Sequence, residues 1–411
     1  MSLAIAIKHC RLKYLAQLNM GQSPPSEAVT RFDEGDGLPF LQGNAEFGAV
    51  SPSYKHTCNN PPKAAMNGDL LVSVRAPVGA LNIADQPYGI GRGLCAVKWI
   101  NIEPRFGWWA MHHHRAKLKE VATGSTYEAV SAEDLGNLVL SFPDEQSQCF
   151  ISNYLDRETS RIDGLIAEKQ HMLALLEEKR AVLISQIVTR GLDPNIPFKP
   201  SGLEWLGEIP AHWEEPRAKG LFQEVDKRTK TGKETLLSLR MGKGLVPHHE
   251  VSEKPLEASD VIGFKKIEPG QMVINRMRAA SGLIAVATES GLVSPDYAVF
   301  EVVDRELSIE YFLELFKTSL LQAVFRSSSK GLGTGEQGFL RLYTEAFLSF
   351  HFPYPPVEEQ LTIVKFIQRQ RSEMLHMENL LRHSIDLAKE RRTALITDAV
   401  TGQIPLKDMA E

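Results

Sequence analysis

Several stretches of this chain have residue types and spacings that could support chemistry. Asn59-Asn60-Pro61-Pro62 has the order that would grip an exocyclic amine on a base for methyl transfer, but Lys63 stands where a stacking aromatic is needed. No strand leading into a glycine-rich turn for S-adenosylmethionine accompanies it, so a turn is expected. Lys330-Gly-Leu-Gly-Thr-Gly-Glu-Gln-Gly338 could cradle phosphate, but it lacks the GxxxxGK[ST] order and a preceding strand. A flexible loop is expected, with contact to DNA phosphate as the alternative. Pro295-Asp296 followed by Glu301 suggests a nuclease core, but Asp304 stands near where the lysine of a Glu-x-Lys motif would be. His112, His113 and His114 could ligate a metal, yet consecutive helical residues point in different directions. No partners stand at ligand spacing either, so these histidines are expected on a helix surface. Trp108 and Trp109 are expected in the core, and no Ser-His-Asp arrangement stands out.

The totals exclude more classes. The 411 residues exceed one ordinary core. Hydrophobic residues make up 43% and charged residues 24%, ordinary values for a globular protein. No apolar run approaches the roughly 18 residues of a membrane span. The opening MSLAIAIKHCRLK puts its apolar stretch before its charges, the reverse of a secretory signal. A cytoplasmic protein without membrane contact is therefore expected. Cys10, Cys58, Cys95 and Cys149 form no CxxC pair, which predicts reduced, mostly buried thiols. A net charge of −5 argues against a simple polycation. A local basic face hidden by acidic helices remains compatible with DNA binding.

The elements that must position any site come from an internal duplication. Arg180-Ala-Val-Leu-Ile-Ser-Gln-Ile-Val-Thr189 recurs as Arg392-Thr-Ala-Leu-Ile-Thr-Asp-Ala-Val-Thr401, an offset of 392 − 180 = 212. Leu135/Phe347, Pro143/Pro355 and Leu155/Ile367 share that offset. Gly68-Asp-Leu-Leu-Val-Ser parallels Gly270-Gln-Met-Val-Ile-Asn at 202, with Gly89/Gly291 and Ala96-Val97/Ala298-Val299 also matched at 202. The second copy therefore has about ten extra residues, expected between Gln322 and Gln337.

In each copy short strands are predicted at Leu70–Val74 and Leu94–Val97, or at Met272–Asn275 and Tyr297–Phe300. Helical stretches are predicted at Phe106–Glu120 and Ile309–Phe325. A proline then closes the domain and a long helix begins. Its apolar positions are Ile151, Leu155, Ile162, Leu165, Ile166, Met172, Leu173, Leu176, Leu183 and Ile187 in the first copy. In the second they are Ile363, Ile367, Met374, Met377, Leu380, Leu381, Leu387 and Leu395. Gly191 with Pro194, and Gly402 with Pro405, supply the stops. A helix of ~45 residues spans roughly 65–70 Å, and its stripe needs a partner helix, for which the duplicate is the natural candidate. The expected fold is mixed α/β: two pseudo-repeated globular domains separated by two long helices forming an antiparallel coiled coil. The expected segments are a first domain at 1–143, a long helix at 144–191, a linker at 192–213, a second domain at 214–355, a second helix at 356–403 and a tail at 404–411. The two linker tryptophans, Trp205 and Trp213, suggest docking on a surface.

The helix and linker also carry a longer pattern. Tyr154-Leu-Asp-Arg-Glu-Thr-Ser-Arg-Ile162-Asp-Gly-Leu-Ile-Ala-Glu-Lys169, then Leu176-Glu-Glu-Lys-Arg180 and Val188-Thr-Arg-Gly-Leu-Asp-Pro194, resembles the central conserved region of type I restriction-modification specificity subunits. Gly202-Leu-Glu-Trp-Leu-Gly-Glu-Ile-Pro-Ala-His-Trp213 is similar to the lead-in of their second target-recognition domain. Gly124-Ser-Thr126 through Asp134-Leu135 to Pro143 is similar to the close of their first. Gln368-Arg-Gln370 departs from the Leu-Asp pattern.

The resemblance implies a non-catalytic subunit that reads an asymmetric bipartite site on double-stranded DNA, one half-site per domain. It also implies docking of two methyltransferase subunits and of restriction subunits. S-adenosylmethionine, ATP and Mg would then belong to the partners, and this chain would need no cofactor or metal. The alternative is a fused methyltransferase or nuclease carrying its own recognition domains. Base readout needs Arg, Lys, Asn or Gln. The candidates are Lys55, Arg75, Arg92 and Lys98 in the first domain, and Arg240, Lys243, Arg276, Arg278, Arg326 and Lys330 in the second. Leu155, Ile162, Leu176, Leu183, Ile367, Met374, Leu381 and Leu395 are the candidate residues of the helix-pair interface.

Overall fold

The computed structural model describes residues 6–31, 37–122, 129–252, 256–303, 306–332 and 339–410. The chain divides into two compact units, Met1–Gln170 with Arg382–Glu411, and His171–Leu381. Each unit holds one globular domain and a segment of each long helix. Gly124–Thr126, Asp304 and the tip Gly333–Gly338, all singled out above, lie outside the described residues.

Alternation of apolar residues builds the first domain. Its central antiparallel sheet contains β1 (Ala16–Met20), β2 (Leu70–Ser73), β3 (Leu81–Ile83) and β4 (Leu94–Trp99), in the order β1-β4-β2-β3. Leu70, Val72, Cys95 and Val97 face one core. Leu71, Leu94 and Ala96 face another. Successive strand residues point to opposite faces, so an unbroken apolar run such as Leu70-Leu71-Val72 serves two cores at once. The second core lies against five short strands that include the parallel pair Leu38–Leu41 and Tyr88–Ile90. On the first core sit α1 (Pro104–His113), α2 (Arg115–Val121), α3 (Ala132–Gly136) and the start of α4 (Glu145–Arg190). Glu103 caps α1 by accepting from the Phe106 N–H, and Pro104 fills the first turn, where no amide donor is needed.

The second domain repeats this plan. Strands β5 (Phe222–Glu224), β7 (Met272–Asn275), β8 (Ile284–Val286) and β9 (Tyr297–Val302) form a sheet in the order β5-β9-β7-β8, while β6 (Leu237–Arg240) pairs with Gly244–Pro247. Met272, Ile274, Ala298 and Phe300 face one core, and Val273 and Val299 the other. Helices α5 (Ile309–Phe316) and α6 (Ser319–Ser328) follow. Next come the hairpin β10 (Lys330–Leu332) and β11 (Phe339–Arg341), α7 (Thr344–Ser349) and α8 (Val357–Val400).

The structure corrects three readings. The helix expected at Phe106–Glu120 is two helices meeting at His114, and that at Ile309–Phe325 breaks where Thr318 caps α6 by accepting from the Leu321 N–H. The match of Ala96-Val97 with Ala298-Val299 is out by one residue. Val97 lies opposite Leu70 and Phe300 opposite Met272, so the ladders align at an offset of 300 − 97 = 203. A one-residue slip exchanges the two faces of a strand, and Val299 accordingly faces a different core from Val97. Finally, Leu165, Met172, Met377, Leu380 and Leu387, counted in the apolar stripes, are each 46–55% exposed.

The long helices run from Glu145 to Arg190 and from Val357 to Val400. In the first unit Arg392 Nε meets Asp163 Oδ1 at 2.8 Å, and Ile396, Ala399 and Val400 share a core with Ile151 and Leu155. Numbers rise on one helix as they fall on the other, so the segments are antiparallel. In the second unit Ile187 and Val188 share a core with Ile363, Val364 and Ile367. There Gly191 ends α4 at φ +76°, where a Cβ would stand 2.9 Å from Glu359 Oε1. Only glycine suits both the left-handed backbone and the close approach.

The linker is docked. Phe198–Pro200 pairs with Glu208–Pro210, Trp213 is fully buried, and its Nε1 donates to Glu359 at 3.0 Å.

Candidate nucleic-acid interface

A repeated side chain fixes each domain to its long helix. Gln148, near the start of α4, accepts from the Glu103 N–H (2.8 Å) and donates to the Pro143 carbonyl (2.9 Å). Gln360, near the start of α8, accepts from the Ser308 N–H (3.0 Å) and donates to the Pro355 carbonyl (2.8 Å). Both are buried, and 360 − 148 = 212 is the offset of the helices. Glu103 and Ser308 are the residues that cap α1 and α5. Sequence reasoning missed both glutamines, although the offset would have paired them. A second repeated tie links each sheet to the chain before its domain closes: the Val130 N–H donates to Val74, and the Leu342 N–H to Arg276, both at 2.9 Å.

In the first domain all four candidate cations are exposed. Arg75 and Arg92 flank one hydrogen bond, from the Val74 N–H to the Gly93 carbonyl at 2.9 Å, so they share one end of the sheet. Lys98 lies five residues beyond Gly93 along β4, opposite Gln17, which is about 16 Å away at strand spacing. Lys55 precedes the short strand His56–Cys58 on the second core.

In the second domain the structure gathers cations from separate segments. Arg240 ends β6, and Lys243 lies in the turn after it. Arg278 follows β7. Tyr297 opens β9 opposite Asn275. Burial pushes the Tyr297 hydroxyl up, while the Arg240 and Arg278 cations beside it and a hydrogen bond with Asn275 act the other way. The adjacent Asp296 accepts from Arg341 Nη1 at 3.2 Å. Arg341 in turn lies directly opposite Lys330 in the hairpin. Arg326 is exposed near the end of α6.

Arg276 is placed differently from the other candidates. Half-buried, it is paired with Glu224, which also takes the ammonium of the buried Lys265 at 3.2 Å. Lys265 also reaches Asp226 at 3.6 Å, and hydrogen bonding from Arg228 holds that carboxyl below its usual range. Asn275, Tyr297 and Arg341 were not among the sequence candidates. Asp296 was, as a possible nuclease carboxylate. It lies five residues along one strand from Glu301, roughly 16 Å at strand spacing, and serves Arg341.

The histidines correct an expectation. His114 is buried, and His112 and His113 are half-buried, not on an open helix surface. Burial drives His112 down to about 3 and His114 to about 4. The His112 ring sits edge-on to Trp108, with centroids 4.6 Å apart, and His113 Nδ1 is 3.1 Å from Thr397 Oγ1. Trp109 is buried and Trp108 half-buried. Asn60 sits in a turn with φ +58°. The four cysteines are free, two of them buried. Among the described residues no helix is long and apolar enough to cross a membrane.

Of the helix-pair candidates, Leu155, Ile162, Ile367 and Met374 are buried, and Leu176, Leu183, Leu381 and Leu395 half-buried.

Residues 7–172 match the model of the type I restriction modification DNA specificity domain. A stretch of 172 residues is 34% identical to the type I restriction enzyme MjaX specificity subunit of Methanocaldococcus jannaschii, covering 41% of this chain and 39% of that protein. The match thus spans about two fifths of the curated relative. Among solved structures, a chain from a type I R-M system matches with a TM-score of 0.70 at 14% identity, over 97% of this chain and 98% of that one. An HsdS subunit from Thermoanaerobacter tengcongensis matches with a TM-score of 0.53 at 14% identity, over 97% of each chain. Residues 7–172 are therefore similar to the type I restriction modification DNA specificity domain, and the chain as a whole has the fold of these solved structures.

Proposed function

We infer that this chain is the DNA-reading subunit of a type I restriction-modification complex, with one half of a bipartite site read by each domain. The observation that carries this reading is the doubling. Two domains share a sheet order, a buried glutamine tie and a long helix, and one of them matches a specificity domain. Similar frames with different surface cations suit two unlike half-sites separated by unread base pairs. Phosphate contacts would position each domain, and base contacts would specify.

In this reading the chain has no reaction centre. Two methyltransferase subunits and the restriction subunits dock on it and supply S-adenosylmethionine, ATP and Mg. Exposed apolar side chains on the helices support docking: in the second unit Met172, Leu175 and Val182 of α4, and Leu375, Met377 and Leu380 of α8. Apolar groups left facing water along a helix commonly mark a partner surface.

Selection of random duplexes by the full chain, with the methyltransferase added, tests the reading. Enrichment of a two-part motif with a fixed gap is expected, and a single continuous motif would contradict it. Titrating S-adenosylmethionine into the chain alone separates the rival: tight binding would favour a fused methyltransferase.

A further inference from the structure

Resting on the DNA-reading function above, we propose that Arg341, aimed by Asp296, is a specificity-determining residue that reads a guanine in the half-site of the second domain. The argument begins with charge. Lys330 and Arg341 face each other across the hairpin, and like charges directly opposite on paired strands repel. Arg240 and Arg278 stand beside Tyr297, next in sequence to Asp296. These named groups are four cations and one carboxylate, Asp296, which pairs with Arg341, in a chain whose net charge is −5. A polyanion is the ligand that offsets such a concentration.

Geometry narrows the role of Arg341. Nη1 donates to Asp296 Oδ1 at 3.2 Å, and Cζ lies 5.8 Å from the centroid of the Tyr343 ring. Nε is buried and has no hydrogen-bond partner among the described residues. The side chain is 20% exposed. The guanidinium is therefore held by a carboxylate and a ring, and Nη2 with the second N–H of Nη1 is what remains to meet a ligand. A fixed fork of parallel N–H donors matches two adjacent acceptors, and guanine presents O6 and N7 in the major groove. Flexible Lys330 and exposed Arg240 and Arg278 suit the phosphates around it. The strand is itself anchored, because the Leu342 N–H donates to the carbonyl of Arg276, whose own side chain is tied to Glu224. Arg341 precedes Leu342 as Ala129 precedes Val130 in the first domain, so this reader would act in one half-site only.

The test selects a random duplex pool with the full chain plus methyltransferase, comparing wild type with Arg341→Lys, Arg341→Gln and Asp296→Asn. Both arginine variants are expected to lose preference for a G·C pair at one position, by about 10-fold or more, and to leave the other half-site unchanged. Asp296→Asn, a positioning change, should relax the same position without lowering total DNA retention, since it removes a negative charge. Arg341→Lys keeps the cation and the stem, so it decides the matter if Arg341→Gln unfolds. A uniform loss across all sequences with a shallower salt dependence would assign Arg341 to phosphate and overturn the proposal, as would unchanged selectivity. If wild type enriches no motif at all, the DNA-reading function itself fails, a result distinct from either.

Discussion

Gln360→Leu removes an amide while keeping a side chain of similar reach. It leaves the Ser308 N–H and the Pro355 carbonyl buried without the partners that Gln360 now supplies at 3.0 and 2.8 Å. Each orphaned buried group costs about 1–3 kcal/mol, so the pair costs roughly 2–6 kcal/mol. No water can substitute cheaply, because Gln360 is 0% exposed. The second unit runs from His171 to Leu381, or 381 − 171 + 1 = 211 residues. At that size each kcal/mol moves Tm by about 2–4 °C, giving a fall of roughly 4–24 °C. Scanning calorimetry of the full chain reads this. Gln368→Leu is the control, since Gln368 lies on the same helix but is exposed, and a surface change there should stay within about 0.5 kcal/mol. Gln148→Leu should lower the first unit by a similar amount. If Gln360→Leu melted where Gln368→Leu does, the glutamine tie would carry no weight and the argument that it fixes domain to helix would be wrong.

Gly107→Ala should cost about 1–3 kcal/mol by overpacking, because an added Cβ would stand 2.3 Å from the Trp99 ring; unchanged urea unfolding would refute this. Lys265→Ala should cost about 3 kcal/mol, since it strips a buried cation from Glu224 and Asp226. Lys265→Met, which keeps most of the volume, should recover part of that loss in the same assay. His112 and His114 have folded values of about 3 and 4 against 6.5, so the unfolded chain takes up protons first as pH falls below 6.5. Stability is then full above that pH and declines by up to about 2 kcal/mol per histidine at pH 5. A Tm that is flat from pH 7 to 5, or one equally steep in His112→Phe, would contradict the burial of these rings.

The long helices were readable because their signal is long. Apolar steps of three and four over many turns, closed by Gly191 and Gly402, leave few alternatives, and both stops are left-handed glycines at φ +76°. Which apolar residues face the partner was not readable in full. The period of 3.6 selects a broad face, and only packing decides which edge of it stays wet. Leu176 is half-buried, while Met172, four residues earlier, is 53% exposed. The strands were harder still. Two matching letters, Ala-Val, placed β4 and β9 one residue out of register, because letter identity carries no information about which face a strand buries. Hydrogen-bond pairing with β2 and β7 carries it.

The candidate surface shows the same division between local and non-local signals. Composition could say only that a basic face was compatible with a net charge of −5. Arg240, Arg278 and Arg341 are separated by 38 and 63 residues, from 278 − 240 and 341 − 278. Nothing in their immediate neighbours marks them as a group. Sheet order brings them to one place: β9 sits next to β7, Tyr297 opens β9, and the hairpin delivers Arg341 to Asp296. The same non-local logic removes Arg276 from the surface. Two positions before Arg278, it is turned toward Glu224 and Lys265 instead. The turn that follows β7, which ends at Asn275, separates a residue that holds the domain together from one that can meet a ligand. A sequence scan for arginines treats the two alike. An arginine in such a domain is therefore best judged by which carboxylate it already serves and by how much of its fork remains free.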